Sequence, residues 1–172
     1  MSAPYVELHC HSSFSFLDGA SSPLELATAA AELGYPALGL VDHDGIWGSM
    51  EFAVSCKGAG VRPITGTELT VSAAGRLFHL TLLVEDEAGY RNLCRLLTEA
   101  HAHTRDGQGR QAGQPSLPLE SLAGFTEGLI CLSGCARQGM VASAWAEGDL
   151  ARGTGFARRL LGFFGPDNLR IE

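Results

Sequence analysis

"ELHCHSSFSFLDGASSPLELATAAAELGYPALGLVDHDG", residues 7–45, contains one complete turn of the fold: a strand, a helix and a second strand. Its middle carries the clearest signals. Ser22 stands at an N-cap position, Pro23 at the first helical residue, and Glu25 completes a capping box; leucines follow at 24, 26 and 33, and Gly34 is the stop. Upstream, "YVELH" (5–9) alternates as a strand does and is interrupted from Gly19 to Ser22; downstream, "PALGLVDHDG" (36–45) reads as a buried strand running into a polar loop. A strand, a helix and a strand in that order predict parallel pairing through a right-handed crossover.

The alternation continues along the chain. "WGSMEFAVSCKGAG" (47–60) predicts a second helix and "VRPITGTELTV" (61–71) a third strand. Residues 67–73 and 77–84, joined around "AAGR", predict a hairpin or two short strands, and "EDEAGYRNLCRLLTEAHAH" (85–103) a long helix. Residues 104–118, "TRDGQGRQAGQPSLP", read as a surface loop, because the strand "GLICLSG" (128–134) and a helix over 149–164 resume the pattern after it. "NLRIE" (168–172) reads as the opening of a further strand. No internal repeat is present, and the βα units are too few to close a barrel, so the expectation is an α/β chain that stops before its fold does.

Composition bounds the function. At 172 residues and 45% hydrophobic content the chain can bury an ordinary core as one domain or part of one. It lacks an apolar run of bilayer-spanning length and the pattern of a signal peptide, which predicts a cytoplasmic protein without a membrane partner. Five cysteines, at 10, 56, 94, 131 and 135, are odd in number and scattered, so they are read as reduced thiols. The net charge is −7, with Lys57 the single lysine against eleven arginines and no basic cluster longer than Arg158–Arg159. A stand-alone nucleic-acid binder carries a basic face, and this chain shows none.

In a strand, residues i and i+2 point to the same side, so His9 and His11 converge while Cys10 faces away. Two imidazoles that close can share one cation, or simply hydrogen-bond in a core or at a surface. His101 and His103, with the same spacing at a helix end, diverge by roughly 200° and are assigned to solvent. Other strand ends carry ligand-type residues too: Asp42, His43 and Asp44 in "LVDHDG", Glu68 in "ITGTEL", His79 in "LFHLTLLV" and Cys135 in "LICLSGC". Each has a structural explanation as well: Asp42 or Asp44 as a helix cap, Glu68 as a solvated edge residue, His79 as a satisfied core histidine, Cys135 as a small hydrophobe. Their recurrence at the ends of successive strands favours a shared centre, since such ends converge on one mouth in barrel-like α/β folds. Imidazoles suit zinc, manganese or iron, carboxylates bridge hard cations, and a lone thiolate favours zinc; Asp18 offers a further carboxylate. A cluster of two or three such cations activates water and clamps phosphate oxygens, which points to phosphoester hydrolysis. No G-x-S-x-G, P-loop or dinucleotide glycine pattern competes.

"HCHSSFSFLDG" (9–19), "LVDHDG" (40–45), "PITGTEL" (63–69), "FHLTLLVEDEAGYRNLCRLL" (78–97) and "GLICLSGC" (128–135), in this order, resemble the polymerase and histidinol phosphatase (PHP) domain. More narrowly, they are similar to the N-terminal PHP domain of bacterial DNA polymerase III alpha subunits, and the short loop between Glu68 and His79 resembles the error-prone alpha-type branch. The resemblance covers essentially the whole chain. It implies a PHP-type distorted (β/α)7 TIM-like barrel, of which residues 1–172 are the N-terminal portion, cut before closure and without a polymerase core.

By the same resemblance His9, His11, Asp18, His43, Glu68, His79 and Cys135 are metal ligands. They would hold two or three divalent ions, zinc, manganese or iron, with His9, His11 and Glu68 acting in catalysis through those ions and a bridging hydroxide. The family pattern ends in a late D-x-H segment that nothing after Cys135 matches; Asp149 and Asp167 lack the partner histidine. The implied activity is phosphoester hydrolysis or 3′–5′ exonuclease action, with DNA-directed DNA synthesis and repair belonging to the parent protein. The alternatives are a metal-stabilised docking scaffold, or a free-standing phosphatase of the histidinol phosphatase kind. Implied partners are DNA through the parent polymerase, the other polymerase domains, and replisome or mutasome subunits.

Overall fold

The computed structural model describes residues 5–172, and the chain divides into two compact units, the first ending at Thr67 and the second running Glu68–Glu172. In the first, β1 (Glu7–Cys10), α1 (Pro23–Glu32), β2 (Ala37–Leu40), α2 (Ser49–Ala59) and the start of β3 (Arg62–Ala73) follow one another. β1 pairs β2 in parallel, with an irregularity between Glu7 and Cys10, and β2 pairs β3 in parallel from Ala37↔Arg62 to Leu40↔Thr65. This is the double crossover that the alternation predicts. α1 starts where expected: the Ser22 hydroxyl accepts the Glu25 N–H at 3.3 Å, and the Glu25 carboxylate accepts the Ser22 N–H at 2.7 Å.

The buried face of α1 differs from its leucine pattern. Leu24 and Leu33 are exposed, whereas Pro23, Ala27 and Ala30 turn inward. Spacing i, i+4, i+7 makes that a continuous stripe, and its small side chains let α1 and α2 approach closely over Leu38, Leu40, Phe52, Cys56 and Val61. Phe52 is wholly buried there, and burial of one such ring is worth roughly 1.5–3 kcal/mol.

The second unit is less regular. The expected segments 61–71 and 67–73 are one strand, β3, which returns as β4 (Arg76–Val84) through a two-residue turn with Ala74 and Gly75 at φ 50° and 72°. Then come α3 (Glu87–His101), β5 (Leu117–Pro118), a 3-10 helix (Leu119–Gly124), β6 (Leu129–Leu132), α4 (Met140–Ala146), α5 (Leu150–Phe164) and β7 (Leu169–Arg170). β5 pairs β3 in parallel at Val71↔Leu117, β4 pairs β6 antiparallel from Thr81↔Leu132 to Val84↔Leu129, and β6 pairs β7 in parallel at Cys131↔Leu169. The uniform parallel order therefore stops at β4. A two-residue turn reverses the chain and cannot make the long crossover a parallel pair needs.

Asp86 caps α3 by accepting the Gly89 N–H at 2.9 Å, and the helix buries Gly89, Leu93, Leu96, Leu97 and Ala100. Asp149 caps α5 in the same way through Arg152 N–H at 2.9 Å. Residues 104–118 form the expected loop up to β5, closed by a bridge between Arg105 and Gln111. Among the described residues no helix is long and apolar enough to cross a membrane.

Candidate metal centre

β1 delivers the first two imidazoles. His9 lies in the strand and His11 immediately past its end, and their rings meet edge to face with centroids 5.2 Å apart. The same-side geometry of i and i+2 residues thus holds even though the strand stops between them. β2 ends at Leu40, and three residues on, the His43 ring stacks on His11 at 4.5 Å and 13°. Asp18 reaches back to this pair: its Oδ2 lies 2.9 Å from Nε2 of His43.

What brings Asp18 there is a tight loop. The Ser12 carbonyl accepts the Ser15 N–H at 2.9 Å, and the Ser15 carbonyl accepts the N–H groups of Asp18 and Gly19 at 3.0 and 2.9 Å. A Cβ on Gly19 would fall 1.9 Å from the Ser12 carbonyl oxygen, so the loop closes only around glycine. Leu17, fully exposed, adopts φ 72°, a left-handed conformation unfavourable to a branched side chain, immediately before Asp18.

Asp42 caps no helix. α2 has Gly48 at its N-cap and no side-chain cap, so neither Asp42 nor Asp44 takes that role. Instead the Asp42 carboxylate, 1% exposed, accepts the Ser12 N–H at 2.8 Å, the Ser12 hydroxyl at 2.8 and 3.0 Å and the Ser15 hydroxyl at 2.7 Å. Its own carbonyl accepts the Thr67 hydroxyl at 2.8 Å. The sequence gives Asp42 no distinguishing mark beyond its place beside His43, because its partners lie 27 and 30 residues upstream.

In the second unit Glu68 and His79 face each other from the interiors of β3 and β4, not from strand ends. Nδ1 of His79 lies 3.2 Å from Oε2 of Glu68, and Glu68 is buried. Cys135 follows β6 on a loop laid against His79: the His79 N–H donates to the Gln138 carbonyl at 2.9 Å, and the Gly139 N–H to the Cys135 carbonyl at 2.8 Å. It is the backbone of this loop that meets the backbone of His79. His103, assigned to solvent, is exposed with Nε2 3.2 Å from the Gln114 carbonyl.

Each unit thus holds a histidine–carboxylate pair with donor atoms 2.9 or 3.2 Å apart. Two ligands on one cation, each at roughly 2.0–2.2 Å, stand roughly 3 Å from one another, so both pairs have the spacing of neighbouring ligands. The same spacing serves a hydrogen bond that fixes the ring of a ligating histidine. All five cysteines are free thiols. Burial, then the charges of Glu7 and Asp42, push the Cys10 thiol up to about 11, and burial raises those of Cys56 and Cys131.

Residues 7–172 match the PHP domain. An error-prone DNA polymerase of Symbiobacterium thermophilum is 42% identical over 98% of this chain and 16% of its own length. A DNA polymerase III subunit alpha of Treponema pallidum is 36% identical over 98% of this chain and 15% of its own length. The chain therefore spans about 15–16% of the length of these curated relatives. A solved structure from Bifidobacterium adolescentis, provisionally described as a metal-dependent phosphoesterase, aligns with a TM-score of 0.57 over 99% of this chain and 86% of its own, at 16% identity. At that identity the likeness is one of fold.

Proposed function

This chain belongs to the PHP domain family, and from that premise we propose that it is the N-terminal PHP domain of an error-prone, alpha-type DNA polymerase, hydrolysing phosphoesters with divalent cations. The ligands in this reading are His9, His11, Asp18, His43, Glu68, His79 and Cys135, and the ions two or three of zinc, manganese or iron. The observation that carries it is the imidazole group of the first unit: three rings from two strand ends, with His11 in contact with both His9 and His43 and a carboxylate 2.9 Å from His43. Imidazole and carboxylate donors fit a borderline or hard divalent ion.

Such ions supply Lewis acidity, polarising a phosphoryl oxygen and acidifying water near neutral pH. The chain's own residues prepare for them. Asp18 orients the His43 ring through Nε2, and Glu68 orients the His79 ring through Nδ1, or each carboxylate shares an ion with its ring. The first unit alone offers three imidazoles and one carboxylate in contact, the second one imidazole and one carboxylate.

We assign DNA-directed synthesis and repair to the remainder of the parent protein, with DNA and the other polymerase domains as partners and the cytoplasm as the compartment. The net charge of −7 supports this division, because it offers no counterion-releasing face of its own for a duplex. Replisome or mutasome subunits are further partners in this reading. A docking scaffold stabilised by metal is the competing role, since metal bound to a folded site adds folding free energy without turnover. The test is metal content of the purified chain, with nucleotide release from a single-stranded 3′ end measured for the parent and His9→Ala. Two or three equivalents of metal and release lost in His9→Ala are expected. Metal without release above the His9→Ala background assigns the scaffold role, and no metal refutes the reading altogether.

A further inference from the structure

Four hydrogen bonds converge on one buried carboxylate at the base of the imidazole group, and none of the ligand assignments uses it. We infer that Asp42, acting through Ser12 and Ser15, is the positioning group that fixes His11 against His43; this rests on the metal-binding reading above. The chain order makes the connection direct. Ser12 is the residue after His11 and Asp42 the residue before His43, so the bonds from Ser12 N–H (2.8 Å) and Ser12 hydroxyl (2.8 Å) to Asp42 tie together the two backbones from which the stacked rings spring.

Ser15 closes the second link. Its hydroxyl has one proton, donated to Asp42 Oδ1 at 2.7 Å, and its lone pair accepts the His43 N–H at 3.1 Å. The Ser12 hydroxyl likewise donates to Asp42 and accepts the Phe14 N–H at 3.2 Å. Ser12, Ser15 and Asp42 are all buried, so each bond is shielded from competing water.

A carboxylate enclosed by neutral donors costs desolvation that an apolar residue would not incur. What it supplies in exchange is acceptor capacity. No uncharged side chain of that size takes three donors, and those donors, all on the segment that follows His11, are gathered by the residue that precedes His43. Thr67, hydrogen-bonded to the Asp42 carbonyl (2.8 Å) and accepting the Gly45 N–H (3.0 Å), holds the backbone on the far side of His43. The network is therefore a frame that holds the backbone of two ring-bearing residues.

The experiment measures Mn2+ affinity of the 172-residue chain and the ring-proton NMR shifts of His11 and His43 in the metal-free chain. The variants are Ser15→Ala, Asp42→Asn, His43→Ala and Ser15→Ala/His43→Ala. Removing a partner behind a ligand weakens metal affinity roughly 10–100-fold, and that loss is expected for Ser15→Ala and Asp42→Asn, together with displaced His11 and His43 resonances before any metal is added. In the His43→Ala background, Ser15→Ala should cost less than threefold, because the residue it positions is gone. Parent-like affinity in both single variants, or a Ser15→Ala loss equally large in both backgrounds, overturns the inference while the metal reading stands. A parent chain that binds no Mn2+ and no Zn2+ overturns the metal reading and this inference with it.

Discussion

Gly19→Ala is the sharpest test of how the loop over the imidazole group is built. The new methyl would sit 1.9 Å from the Ser12 carbonyl oxygen and 2.5 Å from its carbon, so one side must retreat by about 1.5 Å to reach the 3.4 Å of ordinary contact. Ser12 cannot supply that movement cheaply, because its N–H and hydroxyl are both held by buried Asp42. The outer strand of the loop yields instead, and its bonds from Asp18 N–H and Gly19 N–H to the Ser15 carbonyl, at 3.0 and 2.9 Å, are lost. At about 1 kcal/mol each they sum to about 2 kcal/mol, offset by up to about 1 kcal/mol because alanine restricts the unfolded chain. A net loss of about 1–2 kcal/mol corresponds to roughly 2–8 °C in Tm for a chain of this size. Thermal melts followed by circular dichroism in the presence of a chelator read this directly. Asp18 moves with the loop, so Mn2+ affinity should also fall, by roughly tenfold. A Gly19→Ala chain that melts at or above the parent temperature with unchanged Mn2+ affinity would refute the reasoning.

Two further outcomes follow from the second unit. Gly89→Ala places a methyl 1.8 Å from the Gly128 carbonyl oxygen, which also accepts the Glu85 N–H at 2.9 Å, so the urea midpoint should drop by the equivalent of about 1–3 kcal/mol; Gly155→Ala, in an open stretch of α5, should instead gain up to about 1 kcal/mol, and equal signs for the two would contradict the packing described. The Arg76 and Arg152 guanidinium groups hold the Glu147 carboxyl down to about 2, from an ordinary 4.5. A carboxyl whose folded value is depressed contributes stability that is fully present above the unfolded value and vanishes as pH falls through the folded one. The Tm difference between parent and Glu147→Gln should thus be largest above pH 5, shrink toward pH 2 and weaken with added salt; a difference that grows on acidification contradicts the assignment.

Much of this molecule is legible from local chemistry. The start of α1 is written in Ser22, Pro23 and Glu25, and the structure uses all three as the capping box requires. Convergence of His9 and His11 follows from the period of a strand, and the parallel β1, β2 and β3 follow from alternating strands and helices long enough to cross over. α4, "MVASAWA", gave no such signal: seven residues are too few for a periodicity, and its N-cap, Gly139, has no side chain to bond the first turn. The buried stripe of α1 was hidden for a different reason. Leucines at 24 and 33 dominate the apolar pattern, but the close approach of α2 selects the alanine face.

By itself the sequence determined the span and cap of α1, the long helix α3, and the ligand-type residues beside β1 and β2, because these depend on residues a few positions apart. Only the tertiary structure decided that β4 meets β6 antiparallel, that the His43 ring stacks on His11, and that Asp42 serves Ser12 and Ser15 and no helix. Such pairings join residues tens of positions apart. Their direction and partner are set by which arrangement buries apolar surface and satisfies every enclosed polar group together, a condition no local pattern records.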